Sequence, residues 1–188
     1  MTTTFAASPK LIARIAGAIY VLVFVTGIFS LVVRSGIGVA AASVAGMLYI
    51  AVTVLFYFIF RPVSQSLSML AAIISLTGII IGPLSFLVHA LSVINPLVFF
   101  GFYCLLIGYL IFKSTFLPRF LAILMIFAGL GWLTFIWPAL ATVLSPYNFF
   151  PGIIGEASLT LWLLVIGVEE EKWKEQASLL ANPVADGK

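Results

Sequence analysis

Glu156 is the residue in this sequence whose type least suits its surroundings. It lies in the apolar stretch FFPGIIGEASLTLWLLVIGV, residues 149–168, and no other carboxylate precedes residue 169. A charged side chain inside an apolar helix costs about several kcal/mol unless it is paired, hydrated or protonated, so its presence points to a partner or a task. At helical spacing Glu156 shares a face with Gly152, Thr160 and Gly167. That small, polar face directs the carboxylate into a bundle rather than toward lipid. Glu156 follows Phe149 by seven residues, which places it roughly 10 Å below the outer end of its helix at about 1.5 Å per residue.

Few groups are expected to meet it there. Taking the late residues of odd spans and the early residues of even spans as the outer half gives Arg34, His89, Asn95, Tyr103, Trp137, Tyr147 and Asn148. Arg34 is the only base on that side, and His89 is the only histidine in the chain. Either would offset the desolvation of Glu156, and a His89–Glu156 pair would be able to exchange a proton near neutral pH. A metal site would need His89, Cys104 and Glu156 to converge, and these positions have no recognisable ligand spacing. No metal and no cofactor is therefore expected. Two readings of the carboxylate stand. In one it is a structural ion pair, or a protonated carboxyl hydrogen-bonded across helices. In the other it holds a cation, a proton or the polar head of a lipid-like ligand in an outward-facing pocket. The candidate ligand or ion-pair residues are Glu156, His89, Arg34, Tyr103, Asn95 and Trp137, and no catalytic set is assigned.

The elements that position these residues are legible from composition. Of 188 residues, 63% are hydrophobic and 8% charged, with a mean hydropathy of +1.27. Soluble domains are nearer half apolar and a quarter charged, so the chain belongs in lipid. A hydrocarbon core of about 30 Å needs roughly 20 apolar residues as helix, and such segments fall near 15–33, 38–60, 66–89, 96–112, 120–143 and 150–168. The expectation is an all-α integral membrane bundle of six transmembrane helices. A short cytoplasmic N-terminus (1–14) precedes the six-helix domain (15–168), and a charged cytoplasmic tail (169–188) follows it. The first apolar run is too long for a secretion signal and reads as an uncleaved span. Lys10, Arg14, Arg61, Lys113, Arg119, Lys172, Lys174 and Lys188 fall on the N-terminal side of the alternating layout and only Arg34 on the other. That bias puts both termini in the cytoplasm. The basic residues thus mark the ends of spans, and no nucleic-acid partner is implied. The run EEEKWKEQ is expected to continue the last helix into the cytosol, with Glu170 and Lys174 paired four residues apart.

Small residues recur at helical spacing within the spans. Ala71, Ser75, Gly78, Gly82, Ser85 and His89 share one face of the third span, and Ala42, Gly46, Tyr49 and Thr53 share one of the second. Gly17, Tyr20 and Gly27 do so in the first, and Gly101, Cys104 and Gly108 in the fourth. Such stripes let helices approach closely, and a tight bundle accounts for all of them. Pro83 and Pro138 fall toward the outer half of the third and fifth spans, where proline removes a backbone bond and usually kinks a helix.

Three stretches carry a family resemblance: ARIAGAIYVLVFVTGIF from residue 13, FFGFYCLLIGYLIFKSTFLPRFLAILMIFAGLGWL from residue 99, and GEASLTLWLLVIGV from residue 155. They resemble the bacterial multi-pass membrane family filed as domain of unknown function forty-three eighty-six, with Gly101, Cys104, Gly108, Tyr109, Phe116, Leu117, Pro118 and Arg119 in the family's order. The resemblance implies a bacterial inner-membrane address and a helical bundle, and no catalytic residues. It implies a Gly-Glu pair at Gly155 and Glu156, and a histidine where this chain has Tyr103. No nucleophile–base set, phosphate loop or metal motif accompanies it, so enzymatic activity is not the expectation. The expected function is binding or transport of a small hydrophobic or cationic ligand in the outer half near Glu156. The rival is a structural or regulatory subunit acting through helix association, as a homo-oligomer or with another membrane protein.

Overall fold

The structure is a computed structural model and describes residues 8–33, 35–84, 88 and 95–181. Its described elements are helical: α1 (Pro9–Val32), α2 (Gly36–Phe60), α3 (Gln65–Leu84), α4 (Leu97–Lys113), α5 (Arg119–Leu133), α6 (Pro138–Leu144), α7 (Phe149–Val165) and α8 (Glu170–Ala181). α1 opens with Pro9 in its first turn behind Ser8, whose hydroxyl oxygen accepts from the Leu11 amide at 3.4 Å. Proline at that position loses no helical bond, and serine satisfies one orphan donor. Each of α1 to α5 packs against its neighbours in sequence, α5 packs against α7, and α7 returns to α1. The six long helices therefore close a ring.

α1, α2, α3 and the stretch Arg119–Ile136 are each long and apolar enough to cross a membrane, and α6 with α7 makes a fifth if that bent pair is one span. Outward-facing Leu31, Val32, Met47 and Val143 are each at least 70% exposed, an apolar exterior that suits lipid and not water. The protein is membrane-embedded, and its described elements are all helical.

Two expectations about helix limits are corrected. The fifth expected span, 120–143, is broken: α5 ends at Leu133, a 3-10 turn covers Thr134–Ile136, and α6 starts afresh at Pro138. Pro138 supplies no amide to continue the helix, and the residue before a proline is pushed out of the α region. Trp137 accordingly sits at φ −113°, ψ 100°. α6 then meets α7 at an 80° bend. The charged tail, in turn, does not prolong α7. Gly167 adopts φ 80°, a left-handed conformation that glycine takes without a Cβ penalty, and the chain turns there before α8.

α8 is tied across one end of the ring. The Trp173 indole donates to the Ile59 carbonyl at 2.9 Å, and the Gln176 amide donates to the Lys113 carbonyl at 3.3 Å. The Gln176 carbonyl accepts from the amide and hydroxyl of Thr115, both at 3.2 Å. Ser8 donates to Glu170 at 2.8 Å, and Glu170 also pairs with Lys174 at 2.9 Å. The Lys174 and then the Ser8 hydrogen bonds hold the Glu170 carboxyl below the usual carboxylate range.

Close approach elsewhere depends on glycine. A Cβ on Gly155 would collide with the Leu124 carbonyl and the Ala128 methyl of α5, and one on Gly17 would lie 2.5 Å from the Leu164 amide of α7. Gly27, by contrast, has nothing within 4 Å of a built Cβ. Replacing Gly155 with leucine should therefore cost about 2 kcal/mol or more through overpacking, and Gly27→Leu within about 0.5 kcal/mol. Thermal melts of the detergent-solubilised protein check this as a marked fall in Tm for the first and none for the second. Trp173→Phe removes one hydrogen bond worth about 1 kcal/mol. Trypsin cleavage at Lys172 and Lys174 should then accelerate about fivefold if cleavage follows local opening of α8.

Candidate functional site

Helices α1, α2, α4, α5 and α7 send polar or aromatic side chains to the middle of the ring. On α7 the residues Gly152, Gly155, Glu156, Leu159, Thr160 and Leu163 are buried, so the predicted small face turns inward at Gly152, Glu156 and Thr160, whereas Gly167 lies beyond the end of the helix. Glu156 is 7% exposed. Its Oε2 accepts from the Tyr20 hydroxyl of α1 at 2.5 Å. Its Oε1 accepts from the Trp132 indole of α5 at 2.6 Å and faces the Cys104 thiol of α4 at 3.7 Å. Donors from three other helices thus converge on one carboxyl group. Indole nitrogen is a donor only and a thiol a weak donor, so Oε1 is held as an acceptor.

Each donor is itself seated by local sequence. A Cβ on Gly152 would run into the Trp132 indole, so the glycine one turn before Glu156 makes the space that lets Trp132 reach the carboxylate. Tyr20 stacks on Phe24 at 5.4 Å and meets the ring of Phe56 edge-on at 6.0 Å. Its hydroxyl also lies 3.1 Å from that of Tyr49 on α2. Tyr49 is in edge contact with Phe100 at 5.0 Å and Tyr103 at 6.3 Å. Below it, Thr53 bonds the Tyr49 carbonyl at 2.9 Å and the Ser75 hydroxyl of α3 at 2.7 Å. The hydroxyls of Tyr103 and Thr160 are buried with no hydrogen-bond partner. Among the described residues the ion pairs join Lys172 with Glu169 and Lys174 with Glu170 and Glu171 on the tail. No group of three metal-ligating side chains occurs among them either.

Tyr49 also borders a groove of about 660 Å³ between α2, α3 and the start of α4. Its walls include Gly46, Ile50, Gly78, Gly82 and Phe100, and Val39 and Met47 stand at its lipid-facing rim. The predicted small-residue faces thus divide. Gly101 and Gly108 of α4 seat side chains and backbone of α5, whereas a Cβ on Gly46 would find only Ile79 at 3.9 Å. In α2 the small residues leave space that a larger side chain would fill.

The residues predicted to meet Glu156 are placed as follows. Tyr103 is buried beside Tyr49. Asn95 lies just before α4, its side-chain oxygen accepting from the Leu97 amide at 3.0 Å. Trp137 is 67% exposed at the break before α6, and Tyr147 is exposed as well. Asn148 instead braces α6, donating to Thr134 at 3.3 Å and to the Ala141 carbonyl at 3.5 Å. Arg34 and His89 lie outside the described residues. The partners that sequence reasoning missed are Tyr20, Tyr49 and Trp132, and Cys104 entered it on the small-residue face of the fourth span and as a metal ligand, not as a donor to Glu156. Tyr20 and Tyr49 already lay on the small-residue faces of their helices, which was the available signal. They were passed over because partners were sought at the outer ends, whereas Tyr20 and Glu156 both fall near the middle of α1 and α7.

Over residues 87–167 the chain matches the family described as domain of unknown function (DUF4386). It is 30% identical over 132 residues to an uncharacterized protein of Archaeoglobus fulgidus, an alignment that spans 64% of this chain and 78% of that protein. No solved structure matches. The matched family segment holds Cys104, Trp132 and Glu156, while Tyr20 and Tyr49 precede it. On the family match and the breadth of that likeness, the chain belongs to the DUF4386 family.

Proposed function

We propose that this is a six-span protein of the bacterial inner membrane, with both termini cytoplasmic, that binds a small hydrophobic ligand bearing a hydrogen-bond-donating or cationic head. The groove beside Tyr49 is the binding site, and Glu156 supplies its polarity. Two observations support the span count. α4 has 17 residues, at the lower limit of about 17–25 for a span, and the α6–α7 pair passes as one bent span. The orientation is supported by the basic residues: the start of α1 and the α4 end, with Lys10, Arg14 and Lys113, are tied to the end that α8 crosses.

The observation that carries the ligand reading is an apolar groove with Tyr49 in its wall, a residue whose hydroxyl is linked through Tyr20 to a buried carboxyl group. A pocket with mostly apolar walls and few convergent polar groups is the usual form of a small-molecule site. The head chemistry follows from proton counting. With Glu156 ionised, the Tyr20 proton is committed to Oε2 and the Tyr49 proton to the Tyr20 oxygen. Tyr49 then has only lone pairs to offer, and an ammonium or hydroxyl head satisfies them. The structural-subunit alternative draws on the same open faces at Gly27 and Gly46, which would accept a neighbouring helix.

Gly46→Leu fills the groove without touching the carboxylate network. Native mass spectrometry of the protein extracted in mild detergent should show a retained small molecule in the wild type. It should be lost in Gly46→Leu, with Tm unchanged. Equal retention in both would contradict the groove as the site, and a change from dimer to monomer in the variant would favour the subunit reading.

A further inference from the structure

We infer that Tyr49 and Tyr20 form a proton relay between the groove and Glu156, and that the proton on Glu156 decides whether the groove accepts donor or acceptor head groups. The inference rests on the groove being the ligand site. Its geometric basis is the chain Glu156 Oε2, Tyr20 Oη, Tyr49 Oη, with separations of 2.5 Å and 3.1 Å, and the placement of Tyr49 in the groove wall. Tyrosine hydroxyls carry one proton each and accept as well as donate, so such a chain has two polarities. With Glu156 ionised, Tyr49 donates to Tyr20 and Tyr20 to Oε2, leaving the Tyr49 oxygen as an acceptor toward the groove. With Oε2 protonated, it donates to Tyr20 and Tyr20 donates to Tyr49. The Tyr49 proton is then free to donate to a ligand.

One proton entering at Tyr49 converts the second hydrogen-bond order from the first by three concerted shifts. The incoming proton bonds the Tyr49 oxygen, the Tyr49 proton passes to Tyr20, and the Tyr20 proton passes to Oε2. No charge remains on either tyrosine, and the shifts alone leave Oε2 donating to Tyr20, Tyr20 to Tyr49 and Tyr49 toward the groove. Trp132 and Cys104 hold Oε1 in both states and leave Oε2 as the end of the relay. From the helices that supply this cluster, the titratable groups are Tyr20 of α1, Tyr49 of α2, and Tyr103 and Cys104 of α4; α5 contributes Trp132, and α3 contributes Ser75 through Thr53. The described lysines, arginines and other carboxylates lie at the helix ends and on the tail. Among the described residues, Glu156 is therefore the group whose charge changes.

The test uses two probes with the same chain length and opposite heads, between pH 5 and pH 9. Dodecylammonium only donates hydrogen bonds, and dodecan-2-one only accepts them. In the solubilised wild type, the affinity for dodecylammonium should rise with pH and that for dodecan-2-one should fall, each by about tenfold for one gained or lost hydrogen bond. Tyr20→Phe cuts the relay, so dodecan-2-one should still bind but without pH dependence. Tyr49→Phe should remove the pH dependence of dodecan-2-one binding by deleting the terminal hydroxyl, and it serves if Tyr20→Phe does not fold. Wild-type binding of dodecan-2-one that is independent of pH, or a pH dependence that survives in both variants, would overturn the relay. Failure of both probes to bind at any pH would instead overturn the groove as the ligand site, and the relay with it.

Discussion

Burying one carboxyl group in an apolar bundle imposes the strictest requirement in this molecule. Left unpaired, such a group costs about several kcal/mol. The offset here comes from hydrogen bonds, since no ion pair reaches Glu156 among the described residues. Bonds to a charged acceptor are worth about 1.5–3 kcal/mol each, so the Tyr20 and Trp132 bonds together match that cost, with the Cys104 thiol adding a weak third. Because the donors lie on α1, α5 and α4, the offset exists only when those helices stand around α7 in one register. A single acid thereby makes the ring of helices specific, where apolar packing alone leaves many arrangements nearly equal.

The other features follow from how close the helices must come. Gly155 and Gly17 bring α7 within backbone contact of α5 and α1, and Gly152 opens the space that Trp132 occupies. Where glycines face bulk on the opposing helix, the ring is tight. Gly46 of α2 faces almost nothing, and there the groove forms, with Tyr49 as the residue common to groove and network. Structure and proposed binding thus meet at one hydroxyl, one hydrogen bond removed from the residue that touches the acid.

Much of this was legible in the sequence, and the gaps have physical causes. Apolar segment lengths placed the cores of the helices because the thickness of a bilayer sets them. The inward direction of Glu156 followed from Gly152 and Thr160 at its helical spacing. Its partners were missed because depth was inferred from distance along one helix, while hydrogen bonding depends on the relative heights of several. The break at Trp137–Pro138 lay in an apolar run where hydropathy has no power to separate a span from a bent pair, although proline chemistry marked the place. The separate α8 was hidden because its charge pairs suit a continuing helix equally well. Only Gly167, in a left-handed conformation, turns the chain.

The central claim is that Glu156 acts as a shared acceptor and not as an isolated side chain. A double-mutant cycle of Glu156→Leu and Tyr20→Phe, read as unfolding free energy in detergent, tests it most directly. Strong coupling is predicted, about 1.5 kcal/mol or more, because the double variant removes a bond that each single variant has already broken. Additive effects within about 0.5 kcal/mol would mean that the two residues stabilise the bundle independently, and would contradict the account.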